Sequence, residues 1–225
     1  MAAVMSRPPS VQAMRVPSPN GRYGPDTDDV VTLALLGDSL AVGVGVHRRQ
    51  DTPGAQLAQK FSERSGRAVD LRVVARTGTT TGQLRRQVRA LAGIRPGVAG
   101  IVVGANDVLL PVSLQRSAKR LARIAAQLRA QGWTVTIMPC VDWSIAPGLR
   151  FWIRATAARR SRRLASLQWR AAEEAHIDVV SIAVEEFLAM PEEMFSSDGC
   201  HPSAQGYDLQ ITKVVGAMFE DPEPV

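Results

Sequence analysis

Cysteine is scarce in this sequence. Cys140 and Cys200 are its two cysteines among 225 residues. That is too few for a disulfide framework. No H-E-x-x-H or C-x-x-C string is present, and the three histidines, His47, His176 and His201, lie far apart. Neither a metal site nor a cofactor is expected from such a pattern. No uninterrupted apolar run reaches about 18 residues, so no membrane-spanning helix is expected. The N-terminal stretch lacks the apolar core of a signal peptide. Cytoplasm is therefore the expected location, with both thiols reduced.

Hydrophobic residues make up 45% of the chain and charged residues 21%, the balance of an ordinary globular protein. Residues 1–29 are rich in Pro, Ser and Gly and read as a poorly ordered leader; residues 30–225 read as one domain. The net charge is +6 and is unevenly spread. Residues 150–170 carry seven arginines and no acid, and residues 112–132 carry five basic residues and no acid. Acids gather later, at Glu185, Glu186, Glu192 and Glu193. A basic face attracts nucleic acid, anionic lipid or an acidic protein. No zinc-finger spacing or RNP-type aromatic motif is present, so nucleic acid is not expected.

The chain alternates apolar runs with helical patterns. Strands are predicted at 30–38, 69–75, 98–103, 133–141 and 178–182. Helices are predicted at 52–65, 80–92, 113–131, 153–176 and 202–219, with Gly66 and Gly132 as stops. Strands separated by helices imply crossover units and a parallel sheet. The expectation is an α/β fold: a three-layer α/β/α sandwich with about five parallel strands, in the flavodoxin-like order 2-1-3-4-5. Ligands then bind at the carboxyl ends of the strands.

The first strand ends in "LALLGDSLAVGVGV", Leu33 to Val46. A P-loop is excluded because no G-x-x-x-x-G-K-[ST] string exists. Gly43 and Gly45 begin a dinucleotide fingerprint that Arg48 breaks. The G-x-S-x-G elbow also fails, because Ala41 stands at its last position. A serine nucleophile at Ser39 needs a base and a group that orients it. In "SSDGCHPSAQGY", Asp198 precedes His201 by three residues, across Gly199, and can turn its carboxylate back onto the imidazole. Alone, this pair is more often a capped turn. Gly78 follows the second strand, and Asn106 sits in "GAND" after the third; alone, each is an ordinary turn residue. Asp38 is expected to tie its turn by accepting backbone N–H groups. Cys200 is expected to be a small buried residue.

Taken together, G-D-S-L, the glycine, G-x-N-D and D-x-x-H-P occur in this order over roughly residues 31–219. The combination resembles the SGNH (GDSL) family of serine esterases and lipases. Alanine follows G-D-S-L, so the first family block is short. The resemblance implies Ser39 as nucleophile, His201 as base and Asp198 as its partner. It implies an oxyanion hole of the Ser39 N–H, the Gly78 N–H and the Asn106 side chain. The activity implied is hydrolysis of small acyl esters through an acyl-serine. The alternative is an acyltransferase or thioesterase that passes the same acyl group to a sugar, lipid or carrier acceptor. Trp143, Phe151 and Trp152, which follow the fourth strand, are expected to wall an acyl pocket or form a lid. The basic helix at 150–170 is the expected contact for an anionic lipid headgroup, coenzyme A or an acyl carrier protein.

Overall fold

A computed structural model describes residues 16–181 and 185–219. Among them, six strands form one mixed sheet: β1 (Gly21–Tyr23), β2 (Val30–Gly37), β3 (Ala68–Val73), β4 (Val98–Val102), β5 (Thr134–Met138) and β6 (Asp178–Val179). Their order is β1-β3-β2-β4-β5-β6. The five strands from β2 to β6 are parallel, and counted alone they run 2-1-3-4-5. The helices are α1 (Ser39–Val42), α2 (Pro53–Ser65), α3 (Leu84–Arg89), α4 (Ala105–Leu109), α5 (Leu114–Ala130), α6 (Phe151–Glu173), α7 (Glu185–Ala189), α8 (Pro191–Met194) and α9 (Ala204–Phe219). No helix among the described residues is long and apolar enough to cross a membrane.

β2 shows why the sheet is covered on both sides. Its side chains alternate. Leu33 and Leu35 pack with Leu57 and Phe61 of α2 and with Ile211 and Val214 of α9. Ala34 and Leu36 pack with Leu84 and Val88 of α3 and with Leu121, Ile124 and Leu128 of α5. The helices start and stop where local chemistry dictates. The Thr52 hydroxyl caps α2, Pro53 opens it, and Gly66 ends it in the left-handed region at φ 71°. The Ser113 hydroxyl caps α5.

Two expectations are corrected. The stretch 1–29 was expected to be poorly ordered, yet within it β1 pairs antiparallel with β3. β3 would otherwise be an open edge, and its backbone groups recruit the preceding segment. The Asn20 side chain accepts the Val73 N–H at 2.7 Å, and Arg49 lies over the Tyr23 ring. Residues 1–15 lie outside the described residues. The last strand is shorter than predicted, ending at Val179, and residue 182 of the predicted span lies outside the described residues.

Where the parallel strands end, two buried glutamines replace the missing ladder. The Gly37 N–H donates to Gln87 Oε1, and Gln87 Nε2 donates to the Gly37 carbonyl, both at 2.8 Å. Gln87 Nε2 also reaches Thr79 Oγ1 at 3.2 Å. On the next pair of strands, the Cys140 N–H donates to Gln168 Oε1 at 2.7 Å, and Gln168 Nε2 donates to the Val103 carbonyl at 2.9 Å. One amide supplies both a donor and an acceptor, as a strand end requires.

The Gln87 bracket makes a testable claim. Gln87→Ala strands the buried Gly37 N–H and removes one of two bonds to its carbonyl. The expected loss is about 2–3 kcal/mol of unfolding free energy with an unchanged denaturant slope. A loss below about 0.5 kcal/mol in a urea titration would show that the bracket contributes little.

Candidate active site

The site is built on three strand ends. After β2, Gly37 stands so close to β4 that a Cβ there would collide with the Val102 carbonyl oxygen. The chain then turns directly into α1, with Asp38 as N-cap and Ser39 as the first helical residue. Asp38 accepts the Leu40 N–H at 3.1 Å, as expected for a residue that ties the turn. After β3, Gly78 adopts φ 78°, a left-handed conformation that suits glycine. After β4, Asn106 lies in the first turn of α4.

The loop from Phe195 to Pro202 carries the remaining groups. It is closed by an isolated bridge between those two residues and by a Ser196 N–H bond to the His201 carbonyl at 2.8 Å. The Asp198 carboxylate is saturated. Oδ1 accepts from the Ser196 hydroxyl at 3.0 Å, the Cys200 N–H at 2.8 Å and the His201 N–H at 2.9 Å. Oδ2 accepts from His201 Nδ1 at 2.6 Å. With the Nδ1 proton held there, Nε2 is left as an acceptor, and it faces Ser39 Oγ at 2.9 Å. Ser39, His201 and Asp198, 162 residues apart in sequence at the extreme, thus form one hydrogen-bonded chain.

Ser39, Gly78 and Asn106 line one pocket of about 320 Å³ together with His201. Neither the Ser39 nor the Gly78 N–H has a hydrogen-bond partner among the described residues. Asn106 Nδ2 donates to the Thr79 carbonyl at 3.0 Å, which orients the amide and leaves its second N–H available. Much of the remaining wall is apolar, with Leu40, Leu109, Trp143, Ile145, Ala146, Phe187 and Phe195, and Thr77, Asp142 and Gln210 add polar groups to it. The arrangement therefore offers a hydroxyl next to a base, three donors and room for an acyl chain. No metal-binding cluster is needed to account for these contacts.

Trp143 lines this pocket, but Phe151 and Trp152 do not. They are 80% and 60% exposed, which corrects the expectation that all three wall it. The buried face of α6 runs through Ala157, Ser161, Leu164 and Gln168, and the helical period carries Phe151 and Trp152 off that face. Cys200 is also corrected: it is half-buried and lines the pocket. Burial and the Asp198 charge push its thiol upward, away from the reactive thiolate.

The basic helix has mixed duties. Arg154 donates to the Pro147 and Leu149 carbonyls. Arg160 reaches the carbonyls of Asp107, Val108, Leu110 and Val112. Arg162 pairs with Asp142 at 3.3 Å. These three arginines hold the loops of the site, a use that the charge count did not reveal. Gln87, Gln168 and Asp107 were also missed. Asp107 accepts the Thr81 N–H, the Thr81 hydroxyl and the Ser117 hydroxyl, so it joins the Gly78 loop to α4 and α5. The D of G-x-N-D was its signal.

The two aspartates of the site differ in environment. Burial raises Asp198, but the bonds from the His201 ring and from the His201 and Cys200 N–H groups outweigh it. They hold the carboxyl well below the usual range. Asp38 is fully buried, and burial pushes its carboxyl up to about 6. The Leu40, Gly104 and Ala105 N–H groups and the His201 ring pull it partly back. Its Oδ2 still has no hydrogen-bond partner among the described residues.

Comparison with known proteins places the chain. The sequence model of the GDSL-like lipase/acylhydrolase family matches residues 35–209. A GDSL-like esterase of Mycobacterium tuberculosis is 35% identical over 184 residues, which is 80% of this chain. The chain spans 59% of that relative's length. Among solved structures, the psychrotrophic esterase EstA from Pseudoalteromonas sp. aligns with a TM-score of 0.64 at 19% identity, over 83% of this chain and 96% of that one. A member of the lipolytic protein G-D-S-L family from Veillonella parvula aligns at 0.65 and 17%, over 84% and 99%. Both likenesses are of fold.

Asp38 gives a pH test with a definite sign. Its folded value lies above the 3.8 of a free aspartate, so the folded state holds the proton more tightly. That contribution is full below about pH 4 and is lost as pH climbs through about 6. Asp38→Asn removes it. Relative to the parent, the variant should therefore gain up to about 3 kcal/mol between roughly pH 4 and pH 7 in denaturant titrations. Parallel pH curves for the two proteins would contradict this assignment.

Proposed function

Since the chain belongs to the GDSL-like lipase/acylhydrolase family, we propose that it hydrolyses carboxylic esters through an acyl-enzyme on Ser39. One observation carries the reading. The chain from Ser39 through His201 to Asp198 ends in the same apolar pocket as three hydrogen-bond donors. His201 Nε2 removes the Ser39 proton as Oγ attacks the ester carbonyl. The carbonyl oxygen becomes an oxyanion that the Ser39 N–H, the Gly78 N–H and the Asn106 amide stabilise. The imidazolium then protonates the leaving alcohol, and the acyl group stays on Ser39. Water repeats the sequence, with His201 again as base, and releases the acid. Asp198 remains ionised throughout. It fixes the imidazole tautomer and stabilises the imidazolium, and its low proton affinity suits that role.

Ile145, Phe187, Phe195 and the carbon surface of Trp143 suit the acyl chain because they offer it apolar surface, while the buried Trp143 Nε1–H has no partner among the described residues. The substrate class is accordingly an acyl ester.

Two variants test the roles. Wild type should hydrolyse p-nitrophenyl esters, and Ser39→Ala should reduce kcat by about 10⁴-fold or more. Activity that survives in Ser39→Ala would remove the nucleophile assignment. Asn106→Ala should lower kcat by about 10²–10³-fold, with a small change in KM. A loss confined to KM would mean that the amide binds substrate and does not stabilise the oxyanion.

A further inference from the structure

Between Val108 and Ala172 the chain has twelve basic residues and one acid, Asp142, which is paired with Arg162. α5 and α6 carry most of that charge and pack side by side on one face of the sheet. Both run antiparallel to the strands, so their first turns lie at the carboxyl edge, where the pocket opens. The opposite layer, α2 and α9, has charges of both signs, with Lys60 paired to Asp208. The α5–α6 side therefore carries far more net positive charge than the opposite helices.

At the start of α6, the charge meets exposed apolar surface. Phe151 and Trp152 pack edge to face at 5.0 Å, and the Arg150 guanidinium lies 5.2 Å over the Trp152 ring. Ile153 is exposed beside them. The knob follows directly on a wall of the pocket. Leu149, two residues before it, packs in one cluster with Ala146, Phe187 and Phe195, which line the pocket. From α4, Leu109 lines the pocket while half of it faces solvent, and the neighbouring Leu110 is bound through its carbonyl to Arg160 of α6. Exposed aromatic and aliphatic groups thus border the pocket, with unpaired cations behind them. Arg159, Arg163 and Arg170 have no acidic partner among the described residues.

We propose that this edge docks on an anionic lipid surface, with Phe151 and Trp152 inserted at the interface and the arginines of α5 and α6 against the headgroups. The combination selects the occupant. Trp152, with an apolar body and a polar N–H, favours the headgroup boundary, Phe151 and Ile153 add apolar surface to insert, and basic side chains near them add electrostatic attraction to an anionic leaflet. An acidic carrier protein would use the charges and gain little from an exposed Phe-Trp-Ile run; single-stranded nucleic acid would stack on the two rings but leave Ile153, Leu109 and Leu110 uncovered, whereas a lipid surface covers them all. The pocket then opens toward acyl chains held in the same surface. That last step rests on the ester-hydrolase reading; the docking itself does not.

The test uses the full chain and vesicles of pure phosphatidylcholine or of phosphatidylcholine with phosphatidylglycerol, followed by co-sedimentation. Wild type should partition at least about tenfold more strongly onto the anionic vesicles, and added salt should weaken it. The double variant F151S/W152S should lose about tenfold or more at low salt. The triple variant R150E/R159E/R163E should lose at least as much and lose the salt dependence. Both variants should keep wild-type turnover of a short, water-soluble p-nitrophenyl ester, which shows that they fold. Absence of wild-type binding to anionic vesicles would overturn the proposal. So would F151S/W152S binding like wild type, because the contact would then be one of charge alone, open equally to nucleic acid or a carrier protein. Vesicle binding without turnover of any ester would leave the docking intact and refute the hydrolase reading.

Discussion

A parallel sheet runs out of hydrogen bonds where its strands stop, and here two glutamine amides take over at that edge. Gln87 returns both backbone groups of Gly37 and reaches the Thr79 hydroxyl. Gln168 spans from Cys140 to Val103. Ser39 lies two residues beyond Gly37, Gly78 lies next to Thr79, and Asn106 lies three beyond Val103. The candidate nucleophile and all three candidate oxyanion donors are thus set by the ends of these two brackets. Both glutamines are buried among apolar neighbours, where an unmade hydrogen bond is costly. That cost keeps the strand ends in one register and gives the pocket a fixed geometry before any substrate arrives. Asp107 extends the same network to the loop above, through Thr81 and Ser117.

The two aspartates near Ser39 show how environment separates one residue type into two roles. Asp198 has four hydrogen bonds on two oxygens, and its charge is welcome. Asp38 has one of its oxygens unpaired in a fully buried setting, and its charge is resisted. Only the first is placed to answer a proton shift on the imidazole. The second ties the turn that presents Ser39, and its ionisation costs stability near neutral pH. A buried carboxylate one residue before Ser39 also places a negative potential close to its hydroxyl. The N–H groups of Leu40, Gly104 and Ala105 offset part of it.

Much of this was legible in the sequence because its signals are local. The apolar alternation of β2, the Pro53 start and Gly66 stop of α2, and the one-faced pattern of α5 each fix an element from neighbouring residues. The candidate site residues could be picked out because short blocks, G-D-S-L, G-x-N-D and D-x-x-H-P, stand at or near predicted element ends. What escaped depends on contacts between distant segments. β1 exists because β3 has an open edge, and no residue within 16–29 announces that. Gln87 and Gln168 look like polar helix residues until the fold buries them. Phe151 and Trp152 have the composition of a pocket wall, but the helical phase of α6, set by Ala157, Ser161 and Leu164, turns them outward.

Two arginines of α6 have a structural use that lysine would serve less well. Arg160 satisfies two carbonyls at the end of α4 and two in the segment that links it to α5, and Arg154 satisfies two more beside the pocket. A guanidinium presents five donors in a rigid plane and stays charged when partly buried; a lysine amine has three donors and is more strongly hydrated. The loop carbonyls at this edge have no strand partner, so the chain needs planar, many-donor cations to close it. Each such arginine also leaves positive charge that internal carboxylates do not cancel, since Asp142 is the one acid across the region. A device that fixes the loops around Asn106 therefore also sets the sign of the face beside the pocket. An Arg160→Lys change would loosen the α4 segment while leaving the net charge untouched, which separates the two consequences of the same residue.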